Sequence, residues 1–342
     1  MPHRTTQLKL PALHIIMALA IISLTLTSCF DFEFESPYED INGIYLEHVQ
    51  SYEYGGTKLL FSGNIGYLVS NDSMQIHDFT HVDSIFLLNV YQASYYISDF
   101  DIAGAYAFLA CGILGLEIVD RNYEQPHIVA SLNLDHARKI RVSGEHAYVV
   151  TGAYINVVDI VNIADKSNPI LVSNISFNGV IIHMEVHSNL LYILLNTNEF
   201  HIIDVTDPIS PSAVYVLPYN DSLIYRSFTV RDDYIYLSIV ADIPGLITYR
   251  MQDNNELAIT SEICCPGVFR DMYATTSYGL ALTGSSYIFL LSLEYPAAPS
   301  ISETISIDAQ PEYGIIKDNY IYVLAPTFTP SLKIIEIKQV DQ

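Results

Sequence analysis

Short runs of alternating apolar and polar residues fill most of the chain, and the same order of runs returns about every 43 residues. Each repeat has an alternating segment, a polar turn, two further apolar runs and a turn that often contains proline. Runs of this length and alternation predict β-strands, and the repeats show no helical periodicity. Each repeat therefore predicts four short antiparallel strands.

One aromatic or apolar position in the second strand marks each repeat. Its occurrences are Tyr67, Tyr106, Tyr148, Tyr192, Tyr236, Leu280 and Tyr322, with spacings of 39, 42, 44, 44, 44 and 42 residues. A single sheet leaves both faces open, whereas seven sheets stacked around an axis cover one another. The predicted fold is all-β, a seven-bladed β-propeller of four-stranded antiparallel blades at residues 43–338, with a C-terminal tail at 339–342.

The last repeat ends before its fourth strand. It supplies predicted strands at about 314–317, 320–325 and 332–338. Residues 43–52 precede the first repeat and have a strand pattern without a repeat of their own. We expect this segment to pair with residues 332–338 and close the ring, and this closure would stabilise the fold by joining distant parts of the chain.

Several repeats resemble the LVIVD repeat of bacterial envelope proteins. The resemblance rests on Leu-Glu-Ile-Val-Asp at 116–120 and on Phe-His-Ile-Ile-Asp-Val-Thr-Asp-Pro at 200–208. It covers about residues 58–338 and weakens where Arg250, Ser292 and Glu336 replace the expected aspartate. The resemblance implies a β-propeller but no catalytic residues, because the family is largely without an assigned activity and a fold alone does not give a function.

The first 28 residues have the pattern of a secretory signal peptide. A basic start precedes an apolar stretch at about 12–26, which is shorter than the roughly 20 residues of a membrane-spanning helix. The segment Leu-Thr-Ser-Cys at 26–29 resembles a bacterial lipobox, which implies acylation of Cys29. We expect a lipid-anchored protein of the bacterial cell envelope, at the outer membrane or cell surface in a two-membrane bacterium. Plain secretion and an uncleaved anchor are the alternatives.

Charge excludes one class of partner. The chain has 38 acidic and 15 basic residues, a formal net charge of −23, whereas a nucleic-acid binder needs clustered Lys and Arg. Half of the residues are apolar, which excludes a disordered chain. Residues 29–42 are acidic and predict a tether, although the alternating Phe30, Phe32 and Phe34 would also suit a strand.

The repeated acids are better explained by structure than by catalysis. Asp120, Asp159 and Asp204 are predicted to end the third strand of their repeats, where a carboxylate accepts hydrogen bonds from turn amides. A seven-fold ring would also separate these acids by more than the about 5–10 Å that an acid–base pair requires. The sequence therefore predicts no catalytic carboxylate among them.

Two groups of histidines could suggest a metal. His183 and His187 fall on one predicted strand, where a separation of four residues is about 13 Å and prevents binding of one ion. His77, Asp78 and His81 lie at a strand end, where we expect a solvated cluster. No motif for a metal, a cofactor or nucleophilic catalysis is present, so neither a metal nor a cofactor is predicted.

Three cysteines remain beside Cys29. Cys111 falls in a predicted second strand and is interpreted as a small buried apolar residue. Cys264 and Cys265 are adjacent in a connection between blades, where they would form either a vicinal disulfide or two free thiols.

The connections between blades should open at one end of the ring, which makes that mouth the candidate binding site. Interfaces favour tyrosine and arginine, and the structural alternative is that these side chains line the blade junctions and pair with acids. The candidate mouth residues are Tyr95, Tyr96, His136, Arg138, Tyr225, Arg226, Cys264, Cys265, Arg270 and Tyr313, with Tyr54 and His183 beside them.

The sequence therefore favours a binding or scaffold module for a protein, peptide or glycan. An envelope hydrolase or lyase with its site in the mouth is the alternative, and it would require two close carboxylates or a His–carboxylate pair. A structural subunit of an envelope assembly would instead expose a large apolar patch on the flank of a blade.

Overall fold

A computed structural model of the chain describes residues 44–153, 156–217, 222–325 and 330–339. The predicted signal peptide, Cys29 and the tether lie outside the described residues, as do residues 340–342. The described residues contain 28 β-strands and no helix. They form seven four-stranded antiparallel sheets, which confirms the predicted seven-bladed propeller.

Within each blade the strands are named in order from the axis outwards. Blades 1 to 4 consist of β2 (Lys58–Ser62), β3 (Ile65–Ser70), β4 (Ser73–Asp78) and β5 (Phe86–Gln92); β6 (Asp99–Ala103), β7 (Tyr106–Ala110), β8 (Leu116–Asp120) and β9 (His127–Leu132); β10 (Lys139–Ser143), β11 (His146–Thr151), β12 (Asn156–Asn162) and β13 (Ile170–Phe177); and β14 (Ile181–His187), β15 (Leu190–Leu195), β16 (Phe200–Asp204) and β17 (Ser212–Leu217). Blades 5 to 7 consist of β18 (Ile224–Arg231), β19 (Tyr234–Val240), β20 (Gly245–Met251) and β21 (Leu257–Cys264); β22 (Phe269–Ala274), β23 (Tyr278–Thr283), β24 (Tyr287–Ser292) and β25 (Ser300–Ser306); and β26 (Tyr313–Lys317), β27 (Tyr320–Ala325), β28 (Ser331–Gln339) and β1 (Ile44–Tyr52).

The ring is closed on itself. Each inner strand contacts the inner strand of the next blade, and β26 of blade 7 contacts β2 of blade 1. Apolar side chains of neighbouring blades pack together between the sheets. Between blades 1 and 2, for example, Tyr67, Met74, Ile97, Phe100 and Leu109 share one buried cluster. Stacking of the sheets therefore buries the faces that a single sheet would leave open.

The N-terminal strand closes the last blade as the sequence predicts. β1 pairs antiparallel with β28, with Tyr45 opposite Lys338 and His48 opposite Ile335. β28 reaches Gln339, one residue beyond the predicted end of the propeller. All seven outer strands have a β-bulge at the same place opposite their third strand, and β1 shares it. β1 is thus a complete outer strand, and the repeated bulge bends each exposed edge.

The repeat alignment needs one correction, in blade 2. Tyr148 occupies the marked position of the second strand in blade 3, and the register places Phe108 rather than Tyr106 at that position in blade 2. Tyr106 directly follows the turn between the first two strands, as His146 does in blade 3. The sequence assignment was wrong by two residues because both positions are aromatic in this blade.

The interpretation of the repeated acids is confirmed for two of the three. Oδ1 of Asp120 and of Asp204 accepts a hydrogen bond from the N–H two residues later, at 2.9 and 2.8 Å. Asp159 instead lies inside β12, where its carboxylate accepts the Thr151 hydroxyl at 2.8 Å and burial raises its pKa. Asn162 takes the turn position of that blade. The prediction for Asp159 was wrong because β12 continues for three residues past it.

The expectation of a solvated cluster around His77 is wrong. His77 is 1% exposed, its Nε2 lies 3.1 Å from the Gln75 side-chain oxygen, and burial lowers its pKa to about 4. Asp78 accepts the backbone N–H of Thr80 at 2.7 Å, and His81 is exposed. His77 points into the blade because alternate residues of β4 face the core, a direction that the adjacent turn residues did not reveal.

Candidate functional site

All connections from an outer strand to the next inner strand lie at one end of the ring, because every blade is antiparallel and begins at the axis. We call this end the mouth. Four residues at its rim donate their N–H groups to equivalent carbonyls of the second strand, and three others are bulged residues at the same place. This mouth ring consists of Thr57, Ser98, Arg138, Ile182, Arg226, Arg270 and Glu312.

Two further rings of residues follow at alternate positions along the inner strands. They line the axis, because the inner strand of each blade has a neighbour on one side only and its free edge faces inwards. The first channel ring consists of Lys58, Asp99, Lys139, His183, Ser227, Asp271 and Tyr313. The second consists of Leu60, Asp101, Arg141, Glu185, Thr229, Tyr273 and Ile315.

The channel acids satisfy the free edges of the inner strands. Asp99 accepts the N–H of Phe100 in its own blade at 2.8 Å and the N–H of Ile140 in the next blade at 3.1 Å. Asp101 makes the equivalent pair of bonds one level further from the mouth. Glu185 likewise accepts the N–H of Val230 in the next blade at 3.0 Å. These carboxylates therefore join neighbouring blades at the axis and satisfy edge amides that have no strand partner.

Two cations share Asp99. Lys58 Nζ and an Arg141 guanidinium nitrogen each lie 2.8 Å from a carboxylate oxygen, so Asp99 connects blades 1, 2 and 3. Burial alone would raise the pKa of Asp99, but the nearby cations, Lys58 first among them, hold it well below its ordinary value. Sequence reasoning missed this network. Charges at alternate positions of the first strand, as in Asp-Phe-Asp at 99–101 and Lys-Ile-Arg at 139–141, were the available signal.

A His–carboxylate pair stands in the channel, as the hydrolase alternative requires. His183 Nε2 lies 3.5 Å from Glu185 Oε1, and its Nδ1 lies 3.2 Å from the Ser227 hydroxyl. Ser227 has no exposed surface, so a substrate cannot reach its hydroxyl in this conformation. The His–Ser contact joins blades 4 and 5 and is best explained as a structural bond.

The structure divides the predicted mouth residues by accessibility. Tyr95 and Tyr96 are 42% and 48% exposed, and Arg226, Cys264 and Arg270 are exposed as well. His136 is half-exposed and pairs with Asp135, and Arg138 is half-buried with its guanidinium bonded to Asn156. Tyr225 and Cys265 are buried within the blades, and Tyr313 belongs to the first channel ring. Tyr54 packs against Tyr52 and His77 instead of lining the mouth. A binding role for the exposed members stays a prediction.

The vicinal disulfide does not form. Cys265 has a free, buried thiol, and burial raises its pKa to about 12. Cys111 is also free and fully buried, which confirms the interpretation of this residue as a small apolar one, although it lies one residue beyond the end of β7.

An apolar surface covers the flank of blade 1. Four residues of its outer strand β5 are exposed: Phe86 (60%), Leu87 (53%), Leu88 (39%) and Val90 (42%). The other outer strands expose fewer large apolar residues, and β25 exposes none. A flank of this kind is the expected mark of an assembly subunit, but the sequence pattern did not place it.

The same surface continues to the mouth. After β5 the chain reaches Tyr95 and Tyr96, and the Tyr95 ring lies directly over Gly112 in the next blade. Ile113 and Leu114 follow Gly112 and are 49% and 42% exposed. We call these residues, together with the four exposed residues of β5, the blade 1–2 apolar surface.

Within the part of the chain that the structure describes, no group of three His, Cys, Asp or Glu residues is placed to hold a metal ion. No helix there has the length and apolar character needed to cross a membrane.

The LVIVD repeat family model matches residues 135–176 and 183–216. These ranges correspond to blades 3 and 4, where the resemblance in the sequence is strong. A comparison with curated protein sequences gives no significant match.

Solved propellers share the fold at low sequence identity. The β-propeller domain of Cps50 (Swd1) from Myceliophteria thermophila aligns with a TM-score of 0.65 and 10% identity over 86% of this chain and 100% of that chain. BamB from Moraxella catarrhalis aligns with a TM-score of 0.58 and 11% identity, over 87% and 99%. The N-terminal domain of Nup159 aligns with a TM-score of 0.60 and 11% identity, over 88% and 97%. At these identities the likeness shows the fold alone.

Proposed function

We propose that this seven-bladed propeller with LVIVD repeats is a non-catalytic binding module of the bacterial cell envelope, anchored through acylated Cys29. Its partner is a protein that docks on the blade 1–2 apolar surface. The anchor rests on the signal-peptide and lipobox pattern of residues 1–29. Two or more acyl chains hold a protein firmly on a membrane, because each buried CH₂ contributes about 0.8 kcal/mol.

The observation that supports docking is the exposure of apolar side chains on β5. Residues 84–98 contain no charged residue, in a chain of 38 acids and 15 bases. The four exposed side chains of β5 present roughly 400 Å² of surface, comparable to the largest patch on a typical monomer. A glycan would need polar groups there, whereas a protein interface has an apolar centre.

The apolar centre has acidic surroundings that define the partner further. Asp83 precedes β5 and is exposed, and exposed Asp72 lies beside its far end, where its carbonyl accepts the Gln92 side chain at 3.1 Å. On the side of blade 2, Asn89 donates to the carbonyls of Tyr123 and exposed Glu124. We expect a partner with an apolar patch and flanking Lys or Arg residues, because complementary charge directs association.

Capture from a membrane extract tests the docking surface. Phe86→Ser/Leu87→Ser should lose a partner that the full-length wild type captures. The matched control, Ile170→Ser/Leu171→Ser, changes a neighbouring pair on another outer strand with 53% and 43% exposure. The control should retain the partner, and binding to the purified partner should weaken by at least about tenfold in the Phe86/Leu87 variant only. Equal capture by both variants would overturn the docking surface.

Anchoring is tested separately. Labelled palmitate should enter the wild type and not Cys29→Ser, and only the wild type should sediment with membranes. Labelling of the serine variant would contradict acylation at this residue. The docking experiment does not depend on this result, because capture from detergent extract needs no anchor.

A further inference from the structure

Positive charge is concentrated at the mouth ring. Three of its seven residues are arginines, Arg138, Arg226 and Arg270, and Glu312 is its one acid. The chain as a whole has more than twice as many acids as bases. The mouth therefore has the opposite charge to most of the molecule, and this contrast requires a physical explanation.

None of the three arginines pairs with an acid. Among the described residues, no carboxylate oxygen lies within 4 Å of their guanidinium groups. Elsewhere, half-buried or exposed cations do find carboxylates, as Lys317 does with Asp318 and Lys338 with Glu47. The mouth arginines thus keep their capacity to bind an anion.

The backbone presents two of these side chains. Arg226 and Arg270 are the bulged residues of β18 and β22, the contacting inner strands of neighbouring blades. A bulge redirects a side chain that would otherwise alternate with its neighbours, and bulges are common beside binding sites. Both side chains are exposed. The same irregularity at the same level brings both arginines to the solvent side of the mouth.

The guanidinium of Arg270 is also positioned by its surroundings. It lies over Gly284, where an added Cβ would come within 2.4 Å of Nε. Only glycine leaves this space, so the backbone of the Gly284 loop supports the guanidinium. Arg138, in blade 3, is fixed by a bond to the Asn156 side-chain oxygen, and its buried Nε has no partner among the described residues.

A fourth cation lies one level deeper. Lys139 belongs to the first channel ring, and among the described residues no acceptor engages its ammonium group. Burial lowers the pKa of Lys139, while the nearby Asp99 opposes this effect. A partly buried ammonium group without an acceptor is costly, and an anion entering the mouth would relieve this cost.

We propose that the mouth binds a small anion with two or more carboxylate or phosphate groups. One group is held by Arg226 and Arg270, whose planar forks match the geometry of such oxyanions. A second group reaches towards Lys139. This site is separate from the blade 1–2 apolar surface, so either proposal stands if the other fails.

Calorimetric titration of the full-length protein in mild detergent at low ionic strength tests the site. Citrate and pyrophosphate are the probes, since they distinguish a carboxylate ligand from a phosphate ligand, and acetate is the single-group control. We expect at least one multivalent probe to bind about tenfold or more tightly than acetate. Absence of binding by both probes would overturn the proposal.

Variants locate the binding. Arg226→Gln/Arg270→Gln should weaken the bound probe by about 30-fold or more, since each charged hydrogen bond contributes about tenfold or more. Arg250→Gln is the matched control, because Arg250 lies at the opposite end of a third strand, over the Tyr234 ring. Unchanged affinity in the double variant, or equal loss in the control, would refute the site.

One further variant separates position from charge. Gly284→Ala retains every arginine but should displace the Arg270 guanidinium and weaken the probe severalfold, with unchanged thermal stability. An alanine variant that binds as the wild type does would show that Arg270 does not act from the position observed. The docking partner should be captured equally by all of these variants, which keeps this test distinct from that of the apolar surface.

Discussion

Replacing Asp99 with asparagine tests whether charged groups at the axis hold the blades together. Asp99 accepts hydrogen bonds from Lys58 and Arg141 and from the backbone of Phe100 and Ile140. Asparagine keeps the shape and one acceptor oxygen but removes the negative charge. Lys58 and Arg141 would then remain at the axis without their shared counter-ion.

The expected loss follows from burial. The Asp99 and Lys58 side chains are each 12% exposed, and the Arg141 side chain is 27% exposed. Removing one partner of a buried ion pair costs about 3–5 kcal/mol, and the remaining exposure favours the lower end of that range. We therefore expect the free energy of unfolding to fall by about 3 kcal/mol at pH 7.

Urea denaturation measures this loss. The chain has 26 tyrosines and no tryptophan, so tyrosine fluorescence and far-ultraviolet circular dichroism are the signals. Asp120→Asn is the matched control, because Asp120 accepts only a turn amide that an asparagine oxygen also accepts. We expect the control to lose less than about 0.5 kcal/mol.

The pH dependence gives a second measurement. Because cations hold the pKa of Asp99 below its ordinary value, the charged form stabilises the native state above the unfolded pKa of about 3.9. This contribution disappears as the pH falls below about 4. The difference between wild type and Asp99→Asn should therefore be constant from pH 5 to 8 and shrink at lower pH. A difference below about 1 kcal/mol at pH 7, or one that persists unchanged at pH 3, would refute the reasoning.

Three further predictions concern closure and buried side chains. Deleting residues 30–52 removes β1 and should lower the melting temperature far more than deleting 30–42, and equal effects would contradict closure by β1. Burial lowers the pKa of His77 to about 4, so the unfolded chain binds the extra proton and stability should decrease as the pH falls from about 6.5 to 4; His77→Gln should lack this part of the pH dependence. Cys265 should resist Ellman's reagent at pH 8 until urea unfolds the chain, because burial raises its pKa to about 12, and peptide mapping that finds it labelled in the native protein would contradict its burial.

Local patterns were sufficient for the architecture and insufficient for individual side chains. The turn acids Asp120 and Asp204 were predicted correctly because their hydrogen bonds reach only two residues along the chain. Asp159 and His77 were not, since each depends on where a strand ends or which face is buried. The same limit explains why the predicted mouth contained buried Tyr225 beside exposed Arg226. A bulge in β18 shifts the alternation there, and nothing in the sequence marks it.

By itself the sequence determined the number of blades, the four strands of each and the use of residues 44–52 to complete the last one. These features follow from alternation and turn residues, which act over a few neighbours. Only the tertiary structure decided that Asp99 connects three blades, that the mouth arginines have no acid beside them and that β5 stays uncovered. Each of these facts depends on contacts between residues some forty or more positions apart. The position of such residues is set by the closed ring.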